Sequence, residues 1–301
     1  MMARLAIASL IGLALIAFGA HAADRGGPKV YISVDMEGVA GVVTSDQLAP
    51  GGFEYERFRR FMTDETLAAV RAAQHAGAAE IVVSDSHGNG ENLLIEAFPN
   101  DVHVVRSWPR HGLMAAGLDS TFNAVLLIGY HASTSSSTGV RAHTISSGSY
   151  ARVALNGQDV SEGEWVAAQA GALGVPVVFV SGDDAATREL KQRLGDIVTV
   201  ETKQSLGFHS ALTLTPQESV ARIGSGVSTA LARLGKFKPY VLSTPIRLEV
   251  TFKNYMPAEV LSYLRSVERV NAHSIRFIGR DMDEVTDFMI VVGSYKPDLS
   301  P

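Results

Sequence analysis

Short, continuous apolar runs alternate with longer segments of helical period along the first two thirds of the chain. Val30–Val34, rich in β-branched and aromatic residues, reads as a buried strand. Phe58, Phe61, Met62, Ala68, Ala69 and Ala72 recur at i, i+3, i+4 spacing, which predicts an amphipathic helix from about Tyr55 to His75, closed by Gly77. A second strand, Glu80 to Ser84, runs directly into Asp85-Ser86-His87-Gly88. Strand, helix, strand at this spacing is a βαβ unit, whose crossover makes the two strands parallel. Val102–Val105, Ala124–Ile128 and Val177–Val180 repeat the short apolar run, as expected for strands covered on both faces.

Tyr150 to Val160 behaves differently and alternates around Asn156-Gly157, a hairpin signal. Ser161 and Glu164 fit an S-x-x-E capping box that opens a helix closed by Gly174 and Pro176. Glu164 thus has a structural task, and Glu162 is left free in the first turn. Beyond about Thr199 the pattern changes again. Thr215 and Glu218 make a second capping-box pattern, for a helix to about Leu234. Ile246, Leu248, Val250 and Phe252 alternate as a half-exposed strand. A short helix from Pro257, a strand over Ser274–Ile278 and a helix over Asp281–Val292 follow. The fold class is therefore α/β: a doubly wound, mainly parallel sheet with a smaller C-terminal α+β region. The expected division is 1–22 as a leader, 23–200 as the α/β domain carrying the site, and 201–301 as the smaller region.

The leader reading rests on Arg4, the apolar stretch Leu5–Phe18 and the small-x-small triplet Ala20-His21-Ala22. The stretch is short for a membrane span, which favours cleavage near Ala22 and a periplasmic or secreted protein without a stable membrane anchor. With no cysteine in the chain, disulfides, thiolate nucleophiles, thiolate metal ligands and a lipidated cleavage site are all excluded. Net charge is −5 without basic clusters, which argues against a nucleic-acid partner.

Polar residues stand repeatedly where the apolar strands end: Asp35 and Glu37, Asp85 and His87, His131, then Asp183. In open parallel sheets the ligand sits beyond the carboxyl ends of the strands. A turn starting at Met36 lets Asp35 and Glu37, otherwise on opposite faces of an extended segment, converge. The candidate ligands are Asp35, Glu37, His87, His131 and Glu162. Three carboxylates and two imidazoles suit Zn²⁺, with Mn²⁺ an alternative for so oxygen-rich a set. Five ligands exceed the four of a structural zinc and suit two ions with one carboxylate bridging. Asp85 is placed to orient an imidazole from behind. His75, His103, His111, His209 and His273 have no such neighbours, and Ser133–Thr138 reads as a mobile loop.

Ser33-x-Asp35-x-Glu37-Gly38, Asp85-Ser86-His87-Gly88, Gly129-Tyr130-His131, His143-Thr144, Asn156-Gly157 with Glu162, and Gly174-Val175-Pro176 through Gly182-Asp183-Asp184 occur in one order. Together they resemble the zinc-dependent D-aminopeptidase family of the dipeptide-operon type, from about Lys29 to Asp184 and more weakly through Lys203. The resemblance implies two zinc ions per chain, held by Asp35, Glu37, His87, His131 and Glu162, with Asp35 bridging. It implies that His143 is the catalytic residue and that the substrates are short peptides with an N-terminal D-amino acid, often D-alanine. It also implies a homo-oligomeric ring, a decamer in the type member.

The expectation is an exported metallo-aminopeptidase. Its rivals are another metal-dependent amidase or phosphoesterase on the same site, and a non-catalytic exported protein that binds metal or peptide. The Ser/Thr-rich run at Ser133–Thr138 departs from the family near the site, as does the leader.

Overall fold

The computed structural model describes residues 26–294, so the leader lies outside the described residues. In chain order the strands are β1 (Lys29–Val34), β2 (Glu80–Asp85), β3 (Val102–Val105), β4 (Ala124–Tyr130), β5 (Tyr150–Leu155), β6 (Gln158–Asp159), β7 (Val177–Asp183), β8 (Val198–Gly207), β9 (Ser210–Thr213), β10 (Ile246–Phe252), β11 (Val267–Arg269) and β12 (Ser274–Gly279). The helices are α1 (Ser45–Leu48), α2 (Tyr55–His75), α3 (Glu162–Ala172), α4 (Asp184–Leu194), α5 (Pro216–Leu231), α6 (Met256–Leu261) and α7 (Met282–Ser294).

One sheet has the order β3-β2-β1-β4-β7-β8-β9. Its first six strands are parallel, and β9 closes the edge antiparallel to β8. Successive strand residues face opposite ways, so a continuous apolar run makes both faces apolar. Ile32 and Leu126 pack with Met62 of α2 and Ile223 of α5 on one face. Tyr31 and Leu127 pack with Val166 of α3 and Leu190 of α4 on the other. This is the doubly wound arrangement. Chain order reverses between β1 and β4, and ligands in such sheets bind at that switch.

The second sheet, β11-β12-β10-β5-β6, is antiparallel and has its own core against α3 and α7. In β10 the alternation appears as buried Ile246, Leu248, Val250 and Phe252 between more exposed neighbours. The β5–β6 turn carries Asn156 at φ 50° and Gly157 at φ 83°, the left-handed pair that a tight hairpin needs.

The two sheets do not divide at about residue 200. β8, β9 and α5 complete the first sheet and its cover, while the β5–β6 hairpin, from mid-chain, joins the second through the pairing of Leu155 with Leu248. The reason is that α3 serves both layers, placing Val166 in one core and Trp165 in the other. One local expectation also changes. Thr215 caps α5 by accepting from Glu218 N, but the Glu218 carboxylate turns to Arg222 at 2.7 Å and leaves the box open.

Candidate metal centre

Asp35 follows β1, His87 follows β2 and His131 follows β4, and these three strands are neighbours. Beyond β1 the chain turns at once, with Val39 N donating to Met36 O, so Asp35 and Glu37 both face inward. Asp35 N donates to Ile128 O and Gly38 N to Gly129 O, which draws the two strand exits together. The approach leaves no room for side chains. A Cβ on Gly38 would lie 2.0 Å from Tyr130 O, and one on Gly129, at φ +72°, would lie 2.3 Å from Asp35 O.

The Glu37–Val42 segment lacks regular structure, and side chains from other elements bind its main chain. The buried Lys203 ammonium donates to Glu37 O, Val39 O and Val42 O. Thr202 Oγ1 donates to Gly38 O, and Glu65 Oε1 accepts from Ala40 N. Sequence reasoning missed this clamp. No pattern in the sequence places an element at Lys203, and only its burial beneath the segment reveals the task.

The two imidazoles are set alike. His87 Nε2 lies 2.7 Å from Leu48 O, and His131 Nδ1 lies 2.9 Å from Ala132 O. A carbonyl only accepts, so each of these nitrogens carries the proton, and in the neutral ring the other nitrogen presents a lone pair. Those lone pairs face carboxylates. His87 Nδ1 is 2.8 Å from Glu37 Oε2 and 3.2 Å from Asp35 Oδ1. His131 Nε2 is 3.2 Å from Asp35 Oδ2 and 3.4 Å from Glu162 Oε1. Asp35 thus contributes one oxygen to each grouping. Asp35 Oδ2, Glu37 Oε2 and His131 Nε2 are buried and, despite these short separations, make no hydrogen bond. Acceptors converging on two points from buried positions fit two cations.

Electrostatics leads to the same result. Burial, with Glu37 adding to it, holds Asp35 above the ordinary carboxylate range. Burial also raises Glu37 and Glu162, but the imidazoles outweigh it and both end lowered. Burial pulls His87 and His131 down, and the facing carboxylates carry both well above an ordinary imidazole. Protons on the two rings therefore balance the metal-free cluster. Divalent ions would balance it by displacing those protons.

Glu162 opens α3 at its first position, and the Ser161–Glu164 box closes as expected. Its Oε1 also accepts from Ile145 N at 2.6 Å, which ties the His143 loop to the cluster. The His143 ring stacks on His131, centroids 4.1 Å apart. Its Nδ1 donates to Arg141 O at 2.8 Å, which leaves Nε2 as the nitrogen turned to the cluster, 3.5 Å from Glu162 Oε1. The six candidates from the sequence meet at one place.

Two expectations are corrected. Asp85 does not orient an imidazole: it accepts from Asn92 N, Asn92 Nδ2 and Leu93 N, because the loop folding back after β2 brings three donors to it. Its link to His87 runs through Asn92, whose Nδ2 also donates to His87 O. The Ser133–Thr138 run is tied down, with Ser133 N on Glu189, Thr134 N on Thr144 Oγ1 and Ser135 Oγ on Asp159.

A cavity of about 510 Å³ opens onto Asp35, Glu37, His87, His143 and Glu162. The chain is 32% identical over 267 residues to a D-aminopeptidase of Bacillus subtilis (strain 168), covering 88% of this chain and 96% of that one. Its fold matches the solved structure of the Zn-dependent D-aminopeptidase DppA from Bacillus subtilis, a self-compartmentalizing protease, with a TM-score of 0.85 and 30% identity over 88% of this chain and 97% of that one. The D-aminopeptidase family model matches residues 29–291. With nearly the whole described chain covered, the protein belongs to the D-aminopeptidase family, peptidase M55.

Proposed function

We propose that this protein is an exported two-zinc aminopeptidase that removes an N-terminal D-amino acid, such as D-alanine, from short peptides. One observation carries the metal reading: each of two buried imidazoles has one nitrogen committed to a main-chain carbonyl and the other turned to two carboxylates, with Asp35 common to both sets. His87, Glu37 and Asp35 would hold one ion, and His131, Glu162 and Asp35 the other. The donor set suits zinc, which the structural relative uses. A pair of divalent ions supplies Lewis-acid polarisation of a carbonyl and a lowered pKa for water.

The chain's own residues supply the rest. His143 Nδ1 is fixed on Arg141 O, so the ring presents Nε2 to the cavity as the group that takes a proton or delivers one to the departing amine. Glu162, bound to Ile145 N, keeps that ring in place. Trp108, Leu113, Met114 and Ile145 line the cavity with apolar surface, which excludes water and suits a small side chain.

The relative's self-compartmentalizing description supports assembly of this chain as a homo-oligomeric ring, and a decamer is the size we propose. Export rests on Arg4 and Leu5–Phe18. Among the described residues no helix is long and apolar enough to cross a membrane.

The test is elemental analysis with activity on D-Ala-D-Ala, L-Ala-L-Ala and a phosphate ester, before and after chelation. Two zinc ions per chain and chelator-sensitive cleavage of the D-dipeptide are expected. Full activity in thoroughly chelated, metal-free protein would end the two-metal reading, and preference for the ester would move the protein to another hydrolase class.

A further inference from the structure

Among the described residues, the cavity lining includes three carboxylates, Asp35, Glu37 and Glu162, but a single arginine or lysine, Arg110. That guanidinium is firmly placed. Nε donates to Leu113 O at 3.0 Å, and Nη2 donates to Ser84 Oγ at 2.9 Å and Asp85 O at 2.8 Å. Its plane stacks on Trp108, with Cζ 3.8 Å from the ring centroid. Nη1 is buried and has no acceptor among the described residues.

A second donor on the same lining is in the same condition. Trp165 is 1% exposed, and its indole Nε1 has no acceptor among the described residues. Arg110 and the helix that carries Trp165 are both tied to the same turn. Arg110 is bonded to Leu113 O, while α3, which carries Trp165, is bonded to that turn by Gln169 Nε2 on Gly112 O. Buried donors without acceptors are rare in folded proteins, because each gives up its bond to water and gains nothing in return. Two of them on one cavity wall, one charged and already oriented, call for a ligand that brings acceptor oxygens and a negative charge.

A short peptide has one such group. Its amino end and scissile carbonyl belong at the metal cluster, and what remains of a di- or tripeptide is the free α-carboxylate. Arginine with a second N–H donor is the pairing that recognises a carboxylate. A cavity of about 510 Å³ is of small-molecule size. Resting on the aminopeptidase reading above, we propose that Arg110 and Trp165 bind the C-terminal carboxylate of the substrate and thereby restrict the enzyme to very short peptides with a free carboxyl end.

The experiment compares kcat/KM of the zinc-loaded enzyme on D-Ala-D-Ala and on D-Ala-D-Ala amide, which lacks the charge. The wild type should prefer the acid by about tenfold or more, the value of one charge-assisted hydrogen bond. Trp165→Phe keeps the ring and removes only the N–H, and should lower the acid-to-amide ratio severalfold. Arg110→Met should bring the ratio to about one, and Arg110→Lys should restore part of it. These losses should appear in KM more than in kcat, since the contact is the same in ground and transition states. Equal rates on acid and amide in the wild type would overturn the inference and leave the peptidase reading intact. So would variants that slow both substrates alike, which is the result of a merely structural role. Cleavage of neither peptide would overturn the peptidase reading itself, and the inference with it.

Discussion

Glu65, in α2, is a fully buried carboxylic acid outside the metal cluster, and it offers a quantitative test of how the Glu37–Val42 segment is held. Its Oε1 accepts from Ala40 N at 3.0 Å and Ser219 Oγ at 2.7 Å, while Oε2 has no hydrogen-bond partner among the described residues. Burial is the largest influence and outweighs these two bonds and the nearby Lys203, raising the carboxyl from 4.5 to about 7. Between those two pH values the folded chain keeps a proton that the unfolded chain has lost. Stability from this group is therefore fully present below about pH 4.5 and declines as pH rises, levelling off above about pH 7. The loss is on the order of 3 kcal/mol. Glu65→Gln cannot ionise and should remove the slope, whatever constant offset its amide introduces. Urea unfolding of wild type and variant, both with chelator to silence metal binding, should be run from pH 4.5 to 7.5. The stability difference should shift towards the variant across that range by on the order of 3 kcal/mol. A difference that stays constant would falsify the burial argument. A shift towards the wild type would mean that Lys203 holds Glu65 charged and dominates over burial.

Lys203→Met strips three carbonyls of the Glu37–Val42 segment of their donor, and breaking such a buried charged contact costs about 3–5 kcal/mol; unchanged urea midpoint and zinc content would contradict the clamp. Glu162→Ala should weaken one metal site while α3 stays folded, because Ser161 and Glu164 supply the cap, and excess zinc should partly rescue it. Glu164→Ala should instead cost about 2–4 kcal/mol with metal content unchanged, since it loses both the cap and the Arg193 contact at 2.7 Å. His143→Ala should keep two metals per chain and lose about 10²-fold or more in turnover; loss of metal instead would make it a ligand. Gly38→Ala drives a Cβ into Tyr130 O, and a drop of about 3 kcal/mol or more together with lost zinc is expected; an intact site would show that the strand exits can part.

Much of the candidate site was legible from the sequence because most of its candidate ligands stand just beyond the ends of apolar strands. Strand period and helix period are local properties, so α2 was readable at both ends, and the Asn156-Gly157 turn and the Ser161–Glu164 cap followed from local chemistry. Parallel strands then carry their carboxyl ends to one side, which places Asp35, His87 and His131 together before any contact is known. The family resemblance added Asp35 as the shared ligand and singled out His143.

What only the tertiary structure decided depends on pairings between distant residues. β8 mixes polar and apolar positions because it lies beside the antiparallel edge strand β9, and so it carries a weak signal. The hairpin at 150–159 joins β10, about ninety residues away in the chain, and no local pattern encodes that choice. Lys203 and Arg110 look like ordinary surface cations in sequence. They acquire their tasks because one is buried under main-chain carbonyls and the other lies stacked at the cavity wall. Asp85 was misread for the same reason, since its three donors arrive only when the loop after β2 folds back. Period and capping depend on neighbours within a few residues, so the chain states them openly. The partner of a buried polar group depends on which distant segment reaches it first, and that is settled by the packing of the whole fold.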